Sequence, residues 1–354
     1  MKEIGSIYPI DCTYIPQDVL GEDDASGAVL KYSLCREALS AIATALSDNE
    51  KRVLIPAYTC QTVITPFIEL GWECHYYGIC KNLRIDLGFL TKQVEQTRPS
   101  LLVVHPYFGM DYNEEEIGVL QSISEKGVKI VLDQTQCLFS NQRLPLVDFY
   151  VGSYRKWFPI PDGGYLAFNK GWNRISTPEK ENEGFVTRQS DAMYLRGLYF
   201  KTGDQKTKDI SIRLSKSADT FAESTIRPHR MSAFSVRLKQ RCEEQEIQRK
   251  RLSNYAFLFN NIIKSEKYYF VCDDLEKVTT APLYFPLYVK DRRALQKVLI
   301  ENRIYAPVIW PVEDERVLVS DDVRFIYEHL LAVPCDQRYD EADMQRVVEV
   351  INCF

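Results

Sequence analysis

Lys129-Ile130-Val131-Leu132-Asp133-Gln134-Thr135-Gln136 runs from a short apolar stretch into a carboxylate and then into amide and hydroxyl side chains. A brief, unbroken apolar run suits a strand buried on both faces of a parallel sheet. In open α/β sheets, ligands sit in the crevice beyond the carboxyl ends of the strands, so Asp133 stands where a functional carboxylate would. Working outward, Leu101 to His105 is a second such run, separated from the first by a polar helical stretch around Glu114 to Glu125. Before it, Val53-Leu54-Ile55 ends at Pro56, a helix-like segment closes at Leu70-Gly71, and the aromatic strand Trp72 to Tyr77 follows. Between Cys35 and Ser47 the apolar residues Ala38, Leu39, Ile42, Ala45 and Leu46 recur at helical spacing. Val147 to Gly152 and Tyr165 to Asn169, the latter after Gly163-Gly164, add two strands. The alternation predicts an α/β fold, a large domain with a mostly parallel sheet sandwiched by helices.

The flanks read differently. Residues 1–30 mix Pro, Gly and acidic residues and are expected to form an N-terminal arm, with the organised fold starting near Tyr32. The large domain is expected over 31–235, and 236–354 should hold a long helix and a small α+β domain, built from Tyr284 to Val289, Arg292 to Glu301 and Asp340 to Ile351. Residues 171–230, rich in charge and turn formers, read as a connecting, partly surface region, and Met231 to Lys264 as one long helical stretch. With 44 basic and 49 acidic side chains, a net charge of −5 and no long basic run, nucleic acid is not an expected partner. No stretch has the ~18 consecutive apolar residues of a membrane span, and the start lacks the apolar centre of a signal peptide, so a cytoplasmic protein with no membrane partner is expected. In that setting the ten scattered cysteines are expected as thiols. Cys74-His75 with Cys80 lacks a recognised zinc spacing, so no metal is expected.

Chemistry-bearing residues gather after the predicted strands. Asp133 and Gln136 share one loop, although taken alone Asp133 reads more readily as a turn aspartate, and Gln136 more readily still as a loop amide. Lys156, in Gly152-Ser153-Tyr154-Arg155-Lys156-Trp157, follows a strand and could be held among aromatic rings, where partial desolvation would make its amine nucleophilic. On its local sequence alone, a solvated surface lysine is the favoured reading. Ser153 offers a hydroxyl to an anion, and the backbone amides near Cys35 and Arg36 are donors at the positive end of a helix dipole. Together these groups match what pyridoxal 5'-phosphate requires: an amine to form an imine, a carboxylate to keep the pyridine nitrogen protonated, and donors for the phosphate.

On these residues the chain resembles the DegT/StrS family of pyridoxal-phosphate-dependent sugar aminotransferases, which have the aspartate aminotransferase fold (fold type I). Ser33-Leu34-Cys35-Arg36-Glu37-Ala38-Leu39 looks like the family's phosphate-binding helix start, Ile55-Pro56-Ala57-Tyr58-Thr59 like its next strand and loop, and Val104-His105-Pro106-Tyr107-Phe108-Gly109 like the strand end after that. Asp133-Gln134-Thr135-Gln136 matches Asp-x-x-Gln/His, which implies Asp133 at the pyridine nitrogen and Gln136 beside the ring hydroxyl. Ser153 to Lys156 with Asp162-Gly163-Gly164 resembles the Schiff-base segment, and Arg230-Met231-Ser232 the opening of a long helix where one subunit reaches the other's cofactor. The resemblance implies a homodimer that moves an amino group from glutamate or glutamine to a keto sugar nucleotide, with Lys156 as catalytic acid and base. Cys35-Arg36 replaces the usual Gly-Thr pair, so only backbone contacts carry over. Cys60 stands where many members place an aromatic ring over the cofactor, the Ser-to-Lys interval is short, and Pro228 replaces an asparagine that often contacts a neighbouring phosphate. Elimination or desulfuration of a small amino acid on the same cofactor, and a non-catalytic regulatory relative, are the competing readings. Trp310 is expected either to wall the site or to pack in the core.

Overall fold

The computed structural model describes residues 2–10, 29–168, 175, 178–223 and 227–354. In chain order the elements are β1 (Val29–Tyr32), α1 (Cys35–Ala45), β2 (Arg52–Pro56), α2 (Gln61–Glu69), β3 (Glu73–Tyr77), α3 (Leu87–Thr97), β4 (Leu101–Val104), α4 (Glu114–Glu125), β5 (Lys129–Asp133), β6 (Phe149–Ser153) and β7 (Gly164–Phe168). There follow α5 (Glu183–Thr202), α6 (Gln205–Glu223), α7 (Ala233–Gln240), α8 (Glu244–Asn261), β8 (Tyr268–Phe270), β9 (Phe285–Val289), α9 (Arg292–Glu301), α10 (Asp321–His329), β10 (Leu330–Val333) and α11 (Glu341–Asn352). Seven strands belong to one sheet in the order β1-β7-β6-β5-β4-β2-β3, and three to a second, β10-β9-β8. The chain divides into two interleaved compact units, Met1–Ser6 with Asp48–Asp148 and Glu243–Phe354, and Ile7–Ser47 with Phe149–Cys242. This division cuts the chain differently from the arm, large domain and small domain expected in chain order. Of the expected arm, residues 11–28 lie outside the described residues, as does Asn169 at the end of an expected strand.

In the first unit β2 pairs in parallel with β3 and β4, and β4 in parallel with β5. All of Leu101–Val104 and Ile130–Asp133 are buried, the two-sided burial that their unbroken apolar runs call for. Because Val104 pairs with Leu132, the next residues of the two strands, His105 and Asp133, emerge at the same carboxyl end. The helices are fixed by local chemistry. At α4, the Asn113 side chain accepts from Glu116 N at 2.9 Å while the Glu116 carboxylate accepts from Asn113 N at 3.0 Å, a capping box that serves two otherwise orphaned donors. In the antiparallel β10-β9-β8 sheet, Val333 pairs with Phe285 and Tyr268 with Val289. The buried Arg251 of α8 satisfies its guanidinium on Pro282 O, Leu283 O and Gln337 Oε1 at 3.1, 2.9 and 2.8 Å. Ile4 bridges Ile304 in parallel, which ties the first residues into this unit.

The second unit is built on the antiparallel strands β6, β7 and β1. Two expectations fail in this stretch. Residues 171–230 contain a pair of long helices, α5 and α6, joined by hydrogen bonds such as Ser211 Oγ to Ala192 O at 2.7 Å. Helix α5 escaped a periodicity reading because it has no clean stripe: Phe185, Ala192, Met193 and Tyr199 are buried while Tyr194, Leu198 and Phe200 are exposed. Met231 to Lys264 is two helices, interrupted where Glu243 adopts an extended backbone (φ −82°, ψ 96°). Among the described residues no helix is long and apolar enough to cross a membrane, and the nine described cysteines are free thiols.

Candidate active site

Each of the two units holds a separate set of candidate residues. In the first, Asp133 ends β5 and is buried, and its Oδ1 accepts from Thr135 N at 2.8 Å. This is the local Asx turn that the polar residues after the strand favour. Gln136, also buried, accepts from Phe108 N through Oε1 at 3.1 Å, which links the loop after β5 to the loop after β4. Phe108 itself has φ +46°, a conformation non-glycine residues seldom adopt, so that link holds a strained turn in place. Cys60 is half-buried at the start of α2, with Sγ 3.0 Å from Thr62 Oγ1.

Beside these lies a ring cluster that the sequence motifs only partly announced. His105 sits 3.2 Å from Thr59 Oγ1 through Nε2, with ring centroids 4.4 Å from Tyr107 and 5.5 Å from Trp310. Tyr58 packs 4.8 Å from Trp310 and 5.0 Å from Tyr327, whose hydroxyl donates to Ala57 O at 2.9 Å. Burial pushes the Tyr58, Tyr107 and Tyr327 phenols above their ordinary titration range, so these hydroxyls are neutral donors. Trp310 is thereby placed against the loops after β2 and β4. The available signal for His105 was a histidine directly after a buried run, paired in register with Asp133's strand.

In the second unit, Ser153 ends β6 and is buried, and Lys156 closes the single 3-10 turn Tyr154–Lys156. The aromatic shelter expected for Lys156 goes elsewhere. The Lys156 side chain is exposed, whereas Lys239 Nζ lies 4.7 Å from the Tyr154 ring and 4.9 Å from that of Phe158. In the same turn Tyr154 is half-buried and stacks on Tyr165 at 4.9 Å. Cys35 and Arg36, both half-buried, open α1, where backbone N–H groups precede any intrahelical acceptor.

Gly164 brings that helix start close to Ser153. It pairs with Ser153 on one side and Tyr32 on the other, and a Cβ on it would lie 2.5 Å from Cys35 N and 2.6 Å from Leu34 C. Only a residue without a side chain lets α1 begin against this strand. Gly164→Ala is therefore expected to lose at least about 1–3 kcal/mol of stability, read as a lower denaturation midpoint, because both obstructing atoms are backbone. Unchanged stability would show that α1 does not press on β7 as described.

The start of α1 is tied down further by Glu37, a buried carboxylate that accepts from Leu34 N at 3.2 Å, His229 N at 3.1 Å and His229 Nδ1 at 3.0 Å. Burial raises its pKa, and the hydrogen bonds from His229 and Leu34 oppose the rise. Arg230, next along, is partly exposed, with its guanidinium 3.1 Å from Glu181 Oε1. Neither Glu37 nor His229 stood out in the sequence, apart from the position of Glu37 three residues into a helix.

No family model matches the chain, and no curated protein matches it. Among solved structures it is similar to the sugar aminotransferase CalS13 from Micromonospora echinospora, with a TM-score of 0.61 and 15% identity over 92% of this chain and 87% of that one. Helicobacter pylori PseC, an aminotransferase involved in the biosynthesis of pseudoaminic acid, gives 0.60 and 12% over 91% and 85%. DesV from S. venezuelae gives 0.60 and 12% over 92% and 84%. At these identities the likeness establishes the fold alone: an α/β architecture shared with these solved structures, with a small antiparallel sheet toward the C-terminus.

Proposed function

We propose that the chain is a pyridoxal-phosphate-dependent aminotransferase of the DegT/StrS type, working as a homodimer, which passes an amino group from glutamate or glutamine to a keto sugar carried on a nucleotide. The observation that carries this reading is the pairing of buried Ser153 with Gly164 against the start of α1, with Lys156 in the turn that follows directly. A hydroxyl, a helix start and an amine within a few residues form the donor set that a phosphorylated aldehyde requires. The sugar aminotransferases among the similar structures support the substrate class.

When bound, the cofactor supplies an electron sink for the carbon that loses and gains the amino group. The protein's own groups divide the remaining work. Ser153 and the backbone N–H groups of Cys35 and Arg36 would hold the phosphate. Asp133 would hold a proton on the ring nitrogen by charge, from a buried position where that charge is poorly screened. Gln136, fixed through Phe108 N, would stand beside the ring hydroxyl, and Cys60 would pack on the ring without stacking. Lys156 would hold the cofactor covalently and, once released by the donor, move a proton at Nζ to and from the substrate carbon. Arg230 would face the partner subunit.

A half-reaction tests the reading. Protein loaded with pyridoxal phosphate and given glutamate or glutamine alone is expected to accumulate pyridoxamine phosphate and the keto acid, one per site. Release of an elimination product with the aldehyde retained would replace the transfer reaction with a lyase, and no conversion with any donor would favour a regulatory protein.

A further inference from the structure

Asp162 is a fully buried carboxylate for which the proposed chemistry has no use. Its Oδ1 accepts from Ser232 Oγ at 2.6 Å and from Ser235 Oγ, and its Oδ2 accepts from Ser232 N at 2.9 Å. Its own N–H donates to Ser235 Oγ at 3.3 Å. Burial raises its pKa, and the serine hydrogen bonds oppose the rise. A buried carboxyl group this fully satisfied fixes whatever carries its donors, because releasing any one of them leaves a polar atom unpaired in a poorly solvated place.

Two segments meet on it. One is the Arg230-Met231-Ser232 segment, with Ser232 also capping α7 through Ser235 N at 3.1 Å. The other is the turn holding Lys156: the next residue, Gly163, accepts through its carbonyl from Tyr154 N at 2.9 Å and Arg155 N at 3.4 Å, the two amides that open that turn. Gly163 N in turn donates to Ser33 O at 2.6 Å, ahead of α1. Ser232 is therefore linked to Tyr154 by hydrogen bonds to Asp162 and to Gly163, the two being joined by their peptide bond.

We infer that Asp162 is a positioning residue, which through Ser232 and Ser235 on one side and the Gly163 carbonyl on the other sets how the turn presents the Lys156 amine. The inference rests on the proposed role of Lys156. Asp162→Asn keeps the shape, yet its amide turns a donor toward one of three donors that a carboxylate accepts. Ser235→Ala removes a single donor and no charge.

The test uses the full chain and two readouts. Amide hydrogen exchange, measured without cofactor, is expected to accelerate about tenfold or more at 154–156 and at 231–235 in Asp162→Asn, and less in Ser235→Ala, the size set by leaving buried hydrogen-bonding groups unpaired. The rate at which pyridoxal phosphate and borohydride label Lys156 is expected to fall in the same order. If Asp162→Asn does not fold, Ser235→Ala alone decides by the same two measurements. Accelerated exchange at 231–235 alone, or unchanged labelling of Lys156 despite accelerated exchange, overturns the positioning role and leaves Asp162 a structural group. Altered exchange at both segments with no labelling of Lys156 even in the unaltered protein overturns the cofactor reading, and the inference with it.

Discussion

Lys156→Ala is expected to fold like the unaltered protein and to lose turnover by about ten-thousandfold or more, the upper reach of a single positioned acid-base group. The stability half of this expectation comes from placement. Lys156 is exposed, and among the described residues no hydrogen bond or ion pair holds its amine, so truncation stays within about 0.5 kcal/mol. Its neighbour supplies the contrast: Arg155 pairs with Asp219 at 3.3 Å and lies over the Phe185 ring at 5.3 Å, which ties the turn to α6 and α5. Turnover and a thermal melt of Lys156→Ala check the two halves separately. Lys156→Arg should be as inactive as alanine, because a guanidinium stays protonated and forms no imine. An arginine variant that turns over would remove Lys156 from its assigned role.

Asp133→Asn is expected to slow turnover about a hundredfold or more while leaving the fold intact, the scale of losing one preorganised electrostatic partner. This substitution separates the two readings of Asp133. The Asx turn needs only an oxygen to accept from Thr135 N, and asparagine provides one. Holding a proton on a ring nitrogen needs the negative charge, which asparagine lacks. Near-normal turnover with pyridoxal phosphate bound would leave Asp133 as a turn residue and nothing more.

How far the sequence could be read depended on whether a feature was local. The strands around Asp133 and Ser153 were legible because burial on both faces forces unbroken apolar runs, and α1 because its stripe is one-sided. Helix α5 was not, since its apolar residues form no single stripe and several of them are exposed. The motifs gave Asp133, Gln136, Ser153 and Lys156 as candidate residues but not their environments. That Lys239, eighty-three positions from Lys156, covers the rings beside the turn depends on a contact between distant segments. The Asp162 network has the same character: each of its residues reads alone as a turn or cap, and only the folded chain brings the carboxylate to Ser232 and Ser235.

The central claim turns on which amine takes the cofactor, and peptide mapping after borohydride reduction of the protein loaded with pyridoxal phosphate reads it directly. A single pyridoxyl label on Lys156 is the predicted result. A label on Lys239, whose Nζ already lies over Tyr154 and Phe158, or no label under saturating cofactor, would contradict the account.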